Sequence, residues 1–295
     1  MSAAPAVPAA TGLGAGDPTY DAVAVRSAAV VIRAYSSSFG WACRLLGDPV
    51  RDHVRTVYAL VRVADEIVDD PRPVLTPAER DELLTELERE VGRARARGRS
   101  SNLVVHAFAR TARTFGIGDD LVAPFFASMR ADLTATAHDD ASFAAYVHGS
   151  AEVVGLMCLR VFVAGDEAAY DRLAPGAARL GAAFQKVNFL RDLAEDVDAR
   201  GRSYFPGLDV DAFDDDDRDR LLADVDADLR AAAAVIDDLP RTSRRAVRVA
   251  HDLFAELSRR LAATPAATIR RERVRVPDLV KARLVAAAVA RDVLR

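Results

Sequence analysis

The segment VYALVRVADEIVDD, residues 57–70, decides how the rest of the chain is interpreted. It places Tyr58, Arg62, Asp65 and Asp69 at offsets of four, three and four residues, so all four lie on one face of a helix. The side chains between them are almost all apolar, which predicts a helix that is hydrophobic around most of its circumference. Such a helix is buried, and its two aspartates are expected to be buried with it.

The segment FQKVNFLRDLAEDVDARGRSYFP, residues 184–206, repeats the arrangement. Gln185, Asn188, Asp192 and Asp196 lie at offsets of three, four and four residues, again on one helix face with apolar neighbours. A buried carboxylate without a partner is costly, because each ion loses several kcal/mol of solvation. Cationic partners are therefore expected beside both faces.

Two interpretations of these partners stay open at this point. Arg62, Arg191 and nearby basic residues could form internal salt bridges, which is the favoured reading for any single pair of aspartates four residues apart. Two such pairs in apolar helices, each with an amide or a phenol on the same face, favour a shared metal-diphosphate site. Mg²⁺ prefers oxygen ligands and is typically held by one or two carboxylates plus phosphate oxygens, so Mg²⁺ is predicted, with Mn²⁺ as an alternative.

Apolar residues recur at helical spacing along the chain after residue 20, and no run alternates as a strand would. We predict an all-α fold with one domain over residues 21–295 and a flexible tail over residues 1–20. The expected helices span 21–34, 38–47, 50–69, 77–96, 101–115, 118–135, 141–164, 166–197, 214–235, 238–262 and 276–294. Breaks are predicted at the prolines and glycines that separate these spans, namely Pro71, Pro73, Pro77, Gly116, Gly118 and residues 201–207.

The composition limits the classes of function. The chain has 295 residues, 51% of them apolar, which is enough for a large core, and its net charge of −4 gives no general case for binding nucleic acid. Two cysteines, Cys43 and Cys158, do not suggest a disulfide framework or a zinc site, and a cytoplasmic location is expected. The apolar run 153–164 contains Arg160 and falls short of the roughly 20 residues that cross a bilayer. Peripheral contact with a membrane, for product release, stays open.

Four segments resemble, in order and spacing, the motifs of squalene and phytoene synthases. They are YSSSFGWA (35–42), ALVRVADEIVDD (59–70), YVHGSAEVVG (146–155) and QKVNFLRDLAEDVDARGRSYFP (185–206). The resemblance covers most of the chain from Tyr35 onward and is nearest to bacterial phytoene synthases. It implies the isoprenoid-synthase fold, a single-domain helical bundle around a central cavity, with isoprenoid diphosphates as substrates.

The resemblance also implies roles for individual residues. The metal ligands would be Asp65, Asp69, Asn188, Asp192 and Asp196, and the four aspartates, Tyr58 and Gln185 would lie at the reacting centre. Contacts to the diphosphate and the rest of the substrate would come from Tyr35, Ser36, Ser38, Phe39, Arg62, His148, Arg191, Arg202 and Tyr204. Arginine suits this task because its planar guanidinium pairs with phosphate through two bonds. The serines could equally cap a helix N-terminus.

The chain departs from the family pattern at several positions. Glu66 stands where many members have aspartate, and Phe254 where relatives tend to have tyrosine. His148 lies where relatives carry tyrosines, and it could donate to the diphosphate or be a core histidine with satisfied hydrogen bonds. Glu152, four residues later, forms a single His-x-x-x-Glu pair, which is a weak metal motif. The basic residues of the closing segment could assist or be a solvated helix end, namely Arg271, Arg273 and Lys281.

The reaction that the resemblance implies joins two geranylgeranyl diphosphates head to head, through a cyclopropylcarbinyl diphosphate, to phytoene, without NADPH. The alternatives are a C15 enzyme that makes squalene, dehydrosqualene or hydroxysqualene, and a terpene cyclase of the same fold. A scaffold relative would have lost the aspartates, which are present here. A di-iron carboxylate protein would need Glu-x-x-His pairs, which the sequence lacks.

Overall fold

The all-α prediction is confirmed by the computed structural model, which describes residues 17–35, 38–69, 74–195 and 203–293. Its elements are α1 (Pro18–Tyr35), α2 (Ser38–Cys43), α3 (Val50–Val68), α4 (Pro77–Arg97), α5 (Leu103–Phe115), α6 (Asp119–Thr134), α7 (Asp140–Val147), a π-helical turn (His148–Glu152), α8 (Val153–Val163), α9 (Glu167–Arg191), α10 (Asp215–Ile236), α11 (Arg241–Ala262), α12 (Ala266–Ile269) and α13 (Asp278–Val293). Within the described ranges, extended pairing is limited to an isolated bridge between Ala137 and Ser203.

The first helix starts inside the stretch that was predicted to be a tail. Pro18 is its first residue, and the side chain of Asp17 accepts a hydrogen bond from the backbone N–H of Thr19 at 2.9 Å. An aspartate followed by proline is a strong helix start, because it caps a free amide and presets the backbone angle. Residues 18–20 are therefore helical rather than tail. Residues 1–16 lie outside the described part of the chain.

Helix ends follow the proline and glycine signals in the sequence. Thr76 and Glu79 form a reciprocal capping box around Pro77 at the start of α4. The helix ends at Gly98, whose φ of 79° is the left-handed conformation that glycine adopts most easily. Gly116 ends α5 in the same way, with φ of 67°. The breaks predicted at Pro77 and Gly116 are thus confirmed.

The largest buried apolar cluster fixes α3 against α4, α5, α6 and α8. Leu60 and Val68 of α3 lie in this cluster together with Phe108 of α5 and Phe126 of α6, all nearly inaccessible to solvent. A second cluster joins α9 to α10 and α11 and includes Val187 and Leu190 of α9. The helices that carry the two polar faces therefore belong to two adjoining cores.

Helix α8 packs against α9 and contributes to the core around α3. Glycines let α8 and the π-helical turn before it approach α9 closely. A Cβ on Gly155 would lie 2.7 Å from the carbonyl oxygen of Ala177, and a Cβ on Gly181 would lie 2.5 Å from the carbonyl oxygen of Ala151. These pairs show that α8 and α9 are antiparallel. The side chains of α8 also contribute to the core around α3.

One expectation about membrane crossing needs correction. The run 153–164 was judged too short to span a bilayer, but α7, the π-helical turn and α8 form one continuous helical stretch, Asp140–Val163, of 24 residues. By length and composition this stretch could cross a membrane. Half of its most apolar window is buried among other helices of the protein, as is common for a core helix.

Candidate active site

The polar face predicted on α3 exists and is partly buried. The guanidinium of Arg62 donates from Nη1 to Oδ2 of Asp65 at 2.9 Å and also contacts Glu66. Burial alone lowers the pKa of Arg62, but the charges of Asp65 and Glu66 outweigh it, so this pKa lies above its usual value. Arg62 therefore stays protonated, and its positive charge neutralises the acidic face of α3.

Asp69 is the C-terminal cap of α3, and its backbone N–H donates to the carbonyl oxygen of Asp65 at 2.8 Å. The C-terminus of a helix carries partial negative charge, which disfavours a carboxylate there. The position of the Asp69 carboxylate is therefore unfavourable for helix stability and favourable for attracting a cation.

The second polar face lies on α9, which ends earlier than predicted. The expected helix 166–197 stops at Arg191, and Asp192 becomes its C-terminal cap, with its N–H donating to the carbonyl oxygen of Asn188 at 2.9 Å. Helical residues resume at 193–195. Asp196 lies outside the described residues, so its position as the fourth aspartate stays a prediction.

Two arginines neutralise Asp192. Arg191 donates from Nε to Oδ1 at 2.9 Å, and Arg273 approaches from the loop before α13 with its Nε 2.8 Å from the same oxygen. Around them is a cavity of about 290 Å³, lined by Arg191, Asp192, Ala194, Glu195, Arg271 and Arg273. The structure therefore brings Arg273 of the basic closing segment to the acidic face. Lys281 instead pairs with Asp278 within α13.

The packing places both acidic helix ends at the same end of the bundle. The N-terminal part of α3 shares a cluster with Val161 near the end of α8, whereas Leu60 and Val68 share one with Val153 at its start. Hence α3 runs antiparallel to α8, as α9 does, and both C-terminal ends lie towards the π-helical turn.

The π-helical turn contributes the His148–Glu152 pair to this end. Nδ1 of His148 is 2.9 Å from Oε2 of Glu152, and the imidazole remains nearly half exposed. A Cβ on Gly181 would lie 3.0 Å from Cα of Glu152, and Gly181 precedes Gln185 by one turn on the same face of α9. The pair therefore lies beside the α9 polar face, and its exposure does not fit the interpretation of His148 as a core histidine. π-Helical turns are frequent at functional sites.

The other residues predicted for the site differ in how far they are buried and in whether the structure describes them. Tyr35 is half exposed, and the guanidinium carbon of Arg62 lies 4.7 Å from the centre of its ring. Tyr58 and Gln185 are partly buried on their helices. Phe254 stacks on Phe184 with ring centres 3.8 Å apart. For Ser38 and Phe39 the structure describes only the backbone, at the start of α2, and Ser36 and Arg202 lie outside the described residues.

Tyr204 is buried rather than turned towards solvent. Its ring stacks on Phe189 at 4.0 Å, and its hydroxyl donates to Oδ1 of Asp132 at 3.2 Å. Asp132 on α6 also accepts from the hydroxyl of Tyr146. Asp132 is not among the residues predicted from the sequence, although an aspartate in the apolar pattern of α6 was a usable signal.

The residues present fit a Mg²⁺ ion that is shared with a diphosphate. Oδ1 of Asn188 is buried and has no hydrogen-bond partner within the described part of the chain, which is an uncommon state for a polar atom. It lies one turn before Asp192, so two candidate oxygen ligands are on one face. No group of three or more His, Cys, Asp or Glu side chains among the described residues could hold a metal alone. Such a partial ligand set matches the way proteins hold Mg²⁺ together with phosphate oxygens.

Not every cavity belongs to this site. A larger one, of about 390 Å³, lies among α1, α3 and α5 and is lined by residues such as Asp21, His53 and Arg110. None of the predicted site residues lines it. The chemistry of the side chains, rather than cavity size, therefore locates the candidate site.

Comparisons with known proteins identify the family. A family model described as squalene/phytoene synthase matches residues 32–279. Phytoene synthase from Mycobacterium bovis is 30% identical over 287 residues, 89% of each chain, and presqualene diphosphate synthase from Rhodopseudomonas palustris is 30% identical over 177 residues, 59% of each chain. The crystal structure of a dehydrosqualene synthase in complex with ligand superposes with a TM-score of 0.78 at 18% identity, covering 94% of this chain and 99% of the other.

The fold, the paired aspartate motifs and these matches support one assignment. The chain belongs to the squalene/phytoene synthase family, whose members are prenyltransferases.

Proposed function

We propose that the protein joins two molecules of geranylgeranyl diphosphate head to head to give phytoene, in the presence of Mg²⁺ and without NADPH. The observation that carries this proposal is the placement of Asp69 and Asp192 as caps of two helices whose C-terminal ends lie at one end of the bundle. Two carboxylates at such ends favour a bound cation. Oδ1 of Asn188, which has no hydrogen-bond partner among the described residues, supplies a further ligand on the same face.

The proposed reaction balances without an oxidant or a reductant. The carbon–oxygen bond of one substrate breaks, its electron pair leaves with diphosphate, and the double bond of the second substrate attacks the allylic cation. Loss of a proton closes a cyclopropane ring. The second diphosphate then leaves, the cation rearranges, and loss of a second proton gives the conjugated triene.

The side chains divide this work between charge and shielding. When bound, Mg²⁺ supplies positive charge that stabilises the departing diphosphate. Arg62, Arg191 and Arg273 already lie against the acidic faces and can pair with phosphate oxygens once the carboxylates take up the metal. The apolar residues of α3 and α9 exclude water, which would convert the cations to alcohols.

A C15 enzyme is the second candidate, and one relative favours it. Presqualene diphosphate synthase from Rhodopseudomonas palustris is named for a product of the squalene branch. Substrate length depends on the side chains that close the tunnel, whereas the acidic faces serve either chain length. For either substrate we propose a cytoplasmic enzyme in peripheral contact with the membrane that receives the hydrocarbon.

The deciding experiment offers purified protein Mg²⁺ and either the C15 or the C20 diphosphate, without NADPH, and identifies the hydrocarbon by mass. We expect phytoene, and a kcat/KM at least about tenfold higher for the C20 substrate, the scale of 1.4 kcal/mol of transition-state binding. A reaction with chelator in place of Mg²⁺ is the control. A preference for the C15 substrate, or a requirement for NADPH, would transfer the protein to the squalene branch.

A further inference from the structure

A buried charge cluster that the proposed reaction does not use joins α9 to α10. Lys186 of α9 is 8% exposed, and Asp228 of α10 is only 2% exposed. Nζ of Lys186 donates to Oδ2 of Asp228 at 2.8 Å and to Oδ2 of Asp224 at 2.5 Å. Arg179, about two turns earlier on α9, donates from Nη1 to Oδ1 of Asp228 at 3.0 Å. Two cations of one helix therefore hold one buried carboxylate of the other.

The lysine of this cluster stays charged. Burial lowers the pKa of Lys186, but its hydrogen bonds to Asp224 and Asp228, together with their charges, outweigh burial, so this pKa lies above its usual value. A buried ion pair is often no more stable than well-packed apolar side chains of similar volume, because both ions lose their hydration. Fixing how the two helices meet is therefore a better account of this cluster than adding stability.

The cluster lies on the opposite side of α9 from the candidate site. With about 100° per residue, Asn188 is turned roughly 160° from Lys186 around the helix axis, and Asp192 roughly 120°. Arg179 is turned only about 20° from Lys186, so both cations of the cluster lie on the back of the helix. Any rotation of α9 about its axis moves the back and the polar face together. A contact that fixes the back therefore decides where Asn188 and Asp192 point.

The other contacts of α9 hold its distance from its neighbours more strictly than its rotation. Gly176 allows close approach to α10, because a Cβ there would clash with Val235, and Gly181 allows close approach to the π-helical turn. Ala182 and Ala183 are buried further along α9. Such small apolar side chains form a shallow surface, and the hydrophobic effect that packs them is non-directional. Charge-assisted hydrogen bonds act within narrow limits of distance and angle, so the cluster supplies the direction that apolar packing lacks.

We propose that Lys186 is a positioning residue: by pairing with the buried Asp228, it fixes the rotation of α9 about its axis and directs the polar face of α9 into the candidate site. That face carries Asn188 and Asp192. This inference rests on the proposed function, since the direction of these two side chains matters only if they hold metal and diphosphate. Lys186 acts through the helix and does not itself touch the substrate.

Two substitutions at position 186 separate charge from size. Lys186→Met keeps the length of the side chain and removes the ammonium, whereas Lys186→Arg keeps a cation that can donate to Asp228. We expect Lys186→Met to lower kcat about tenfold and to weaken Mn²⁺ binding in the presence of inorganic diphosphate by a similar factor, the scale seen when a residue that orients a metal ligand is lost. Lys186→Arg should restore most of both values.

A double variant separates positioning from stability. Lys186→Met alone leaves Asp228 buried with fewer partners, so its Tm should fall. Combining Lys186→Met with Asp228→Leu puts apolar side chains of similar volume into the interface and should recover much of the Tm. Arg179 is more than half exposed and can turn to solvent. If the cluster sets the rotation of α9, kcat and the Mn²⁺ affinity stay low although the stability returns.

A cation between two other helices is the matched control. Arg130 of α6 donates from Nη2 to Glu88 of α4 at 2.5 Å and to Thr85 of α4 at 3.2 Å. Neither helix carries a residue that is proposed to bind metal or diphosphate. Arg130→Met should lower the Tm without changing kcat or the Mn²⁺ affinity.

The outcomes are distinguishable. A Lys186→Met protein with wild-type kcat and Mn²⁺ affinity would overturn the positioning role, and so would a double variant whose kcat recovers along with its Tm. Should Lys186→Met fail to fold, the double variant decides in the same way. A wild-type protein that neither turns over prenyl diphosphates nor binds Mn²⁺ with inorganic diphosphate would instead remove the proposed function, and the inference with it.

Discussion

Asp69 and Asp192 occupy equivalent positions in two different helices. Each is the C-terminal cap, and each donates its backbone N–H to the carbonyl oxygen four residues earlier, at 2.8 Å to Asp65 and at 2.9 Å to Asn188. A carboxylate at the negative end of a helix dipole costs about 0.3–1 kcal/mol when it is uncompensated. The same arrangement on both helices is unfavourable for helix stability, and it fits the cation that we propose for this site.

Neutralising either cap should therefore remove activity and spare the fold. We expect Asp69→Asn and Asp192→Asn to lower turnover at least about 100-fold, the scale of losing one electrostatic contact in a transition state. Their Tm should stay within about 4 °C of wild type, because relief of the dipole repulsion offsets the contacts that the carboxylates lose, such as the pairs of Asp192 with Arg191 and Arg273. Steady-state kinetics and calorimetry would measure both.

The chain offers a matched control for this prediction. Asp237 caps α10 at its C-terminus and pairs with Arg248 at 2.6 Å, away from both acidic faces. Asp237→Asn makes the same chemical change at the same helix position and should keep wild-type turnover. Near-normal turnover in Asp69→Asn or Asp192→Asn would show that the metal assignment is wrong.

Arg273 should compete with the metal when no substrate is present. Its guanidinium contacts Asp192, where a metal ligand is proposed. Arg273→Gln should therefore bind Mn²⁺, a paramagnetic substitute for Mg²⁺, more tightly without substrate, and its KM for the prenyl diphosphate should rise about tenfold through the lost phosphate contact. A Mn²⁺ titration monitored by electron paramagnetic resonance measures the Mn²⁺ affinity, and steady-state kinetics measure the KM.

The exposed Arg275, two residues further along the same segment, is the control for the Arg273 prediction. Arg275→Gln should change neither the Mn²⁺ affinity nor the KM. Weaker Mn²⁺ binding by Arg273→Gln would contradict the competition between guanidinium and metal.

The His148–Glu152 pair should influence the fate of the cations. The carboxylate of Glu152 accepts from Nδ1 of His148, so a contact of this imidazole with the substrate would use Nε2. We expect His148→Ala to lower kcat about tenfold and to increase the share of alcohol products, since a smaller side chain admits water. Glu152→Gln should act in the same direction and more weakly. Product analysis by mass would reveal the alcohols, and an unchanged product mixture in both variants would refute this role.

Acid should destabilise the protein in part through His53. Burial lowers the pKa of His53, and the charge of Asp52 only partly offsets this, so the folded state takes up a proton less readily than the unfolded chain. The contribution of neutral His53 to the free energy of unfolding is fully present above the pKa of about 6.5 that the residue has in the unfolded chain. This contribution is lost as the pH falls from that value towards the lower pKa of the folded state.

His53→Gln should therefore flatten the fall of Tm below about pH 6.5, while other groups keep their contributions. The difference between the wild-type and variant Tm curves isolates the histidine. Thr111, whose hydroxyl lies 2.9 Å from Nδ1 of His53, remains in place in both proteins. Parallel Tm curves from pH 7.5 to 5 would contradict the assignment.

Local sequence signals predicted the helices and their ends. The contacts between residues far apart in the sequence could not be predicted from these signals. Pro77 and Gly116 gave helix boundaries because their backbone preferences act within a few residues. The placement of Arg273 against Asp192, and that of Asp132 between two tyrosines, depends on tertiary packing. The end of α9 at Arg191 was missed because the polar pattern continues past it. Asp196, Ser36 and Arg202 lie outside the described residues, so their roles stay predictions.

The π-helical turn at His148–Glu152 has a consequence for how this region tolerates changes in length. A π turn is equivalent to one residue added to an α-helix, and each residue advances a helix by about 100°. Deleting a single residue from the turn would keep the apolar composition of the stretch, yet rotate α7 relative to α8 by that angle. Tyr146 would then turn away from Asp132. The number of residues in this turn, more than the identity of any one of them, sets the rotational phase between the two halves of the helix.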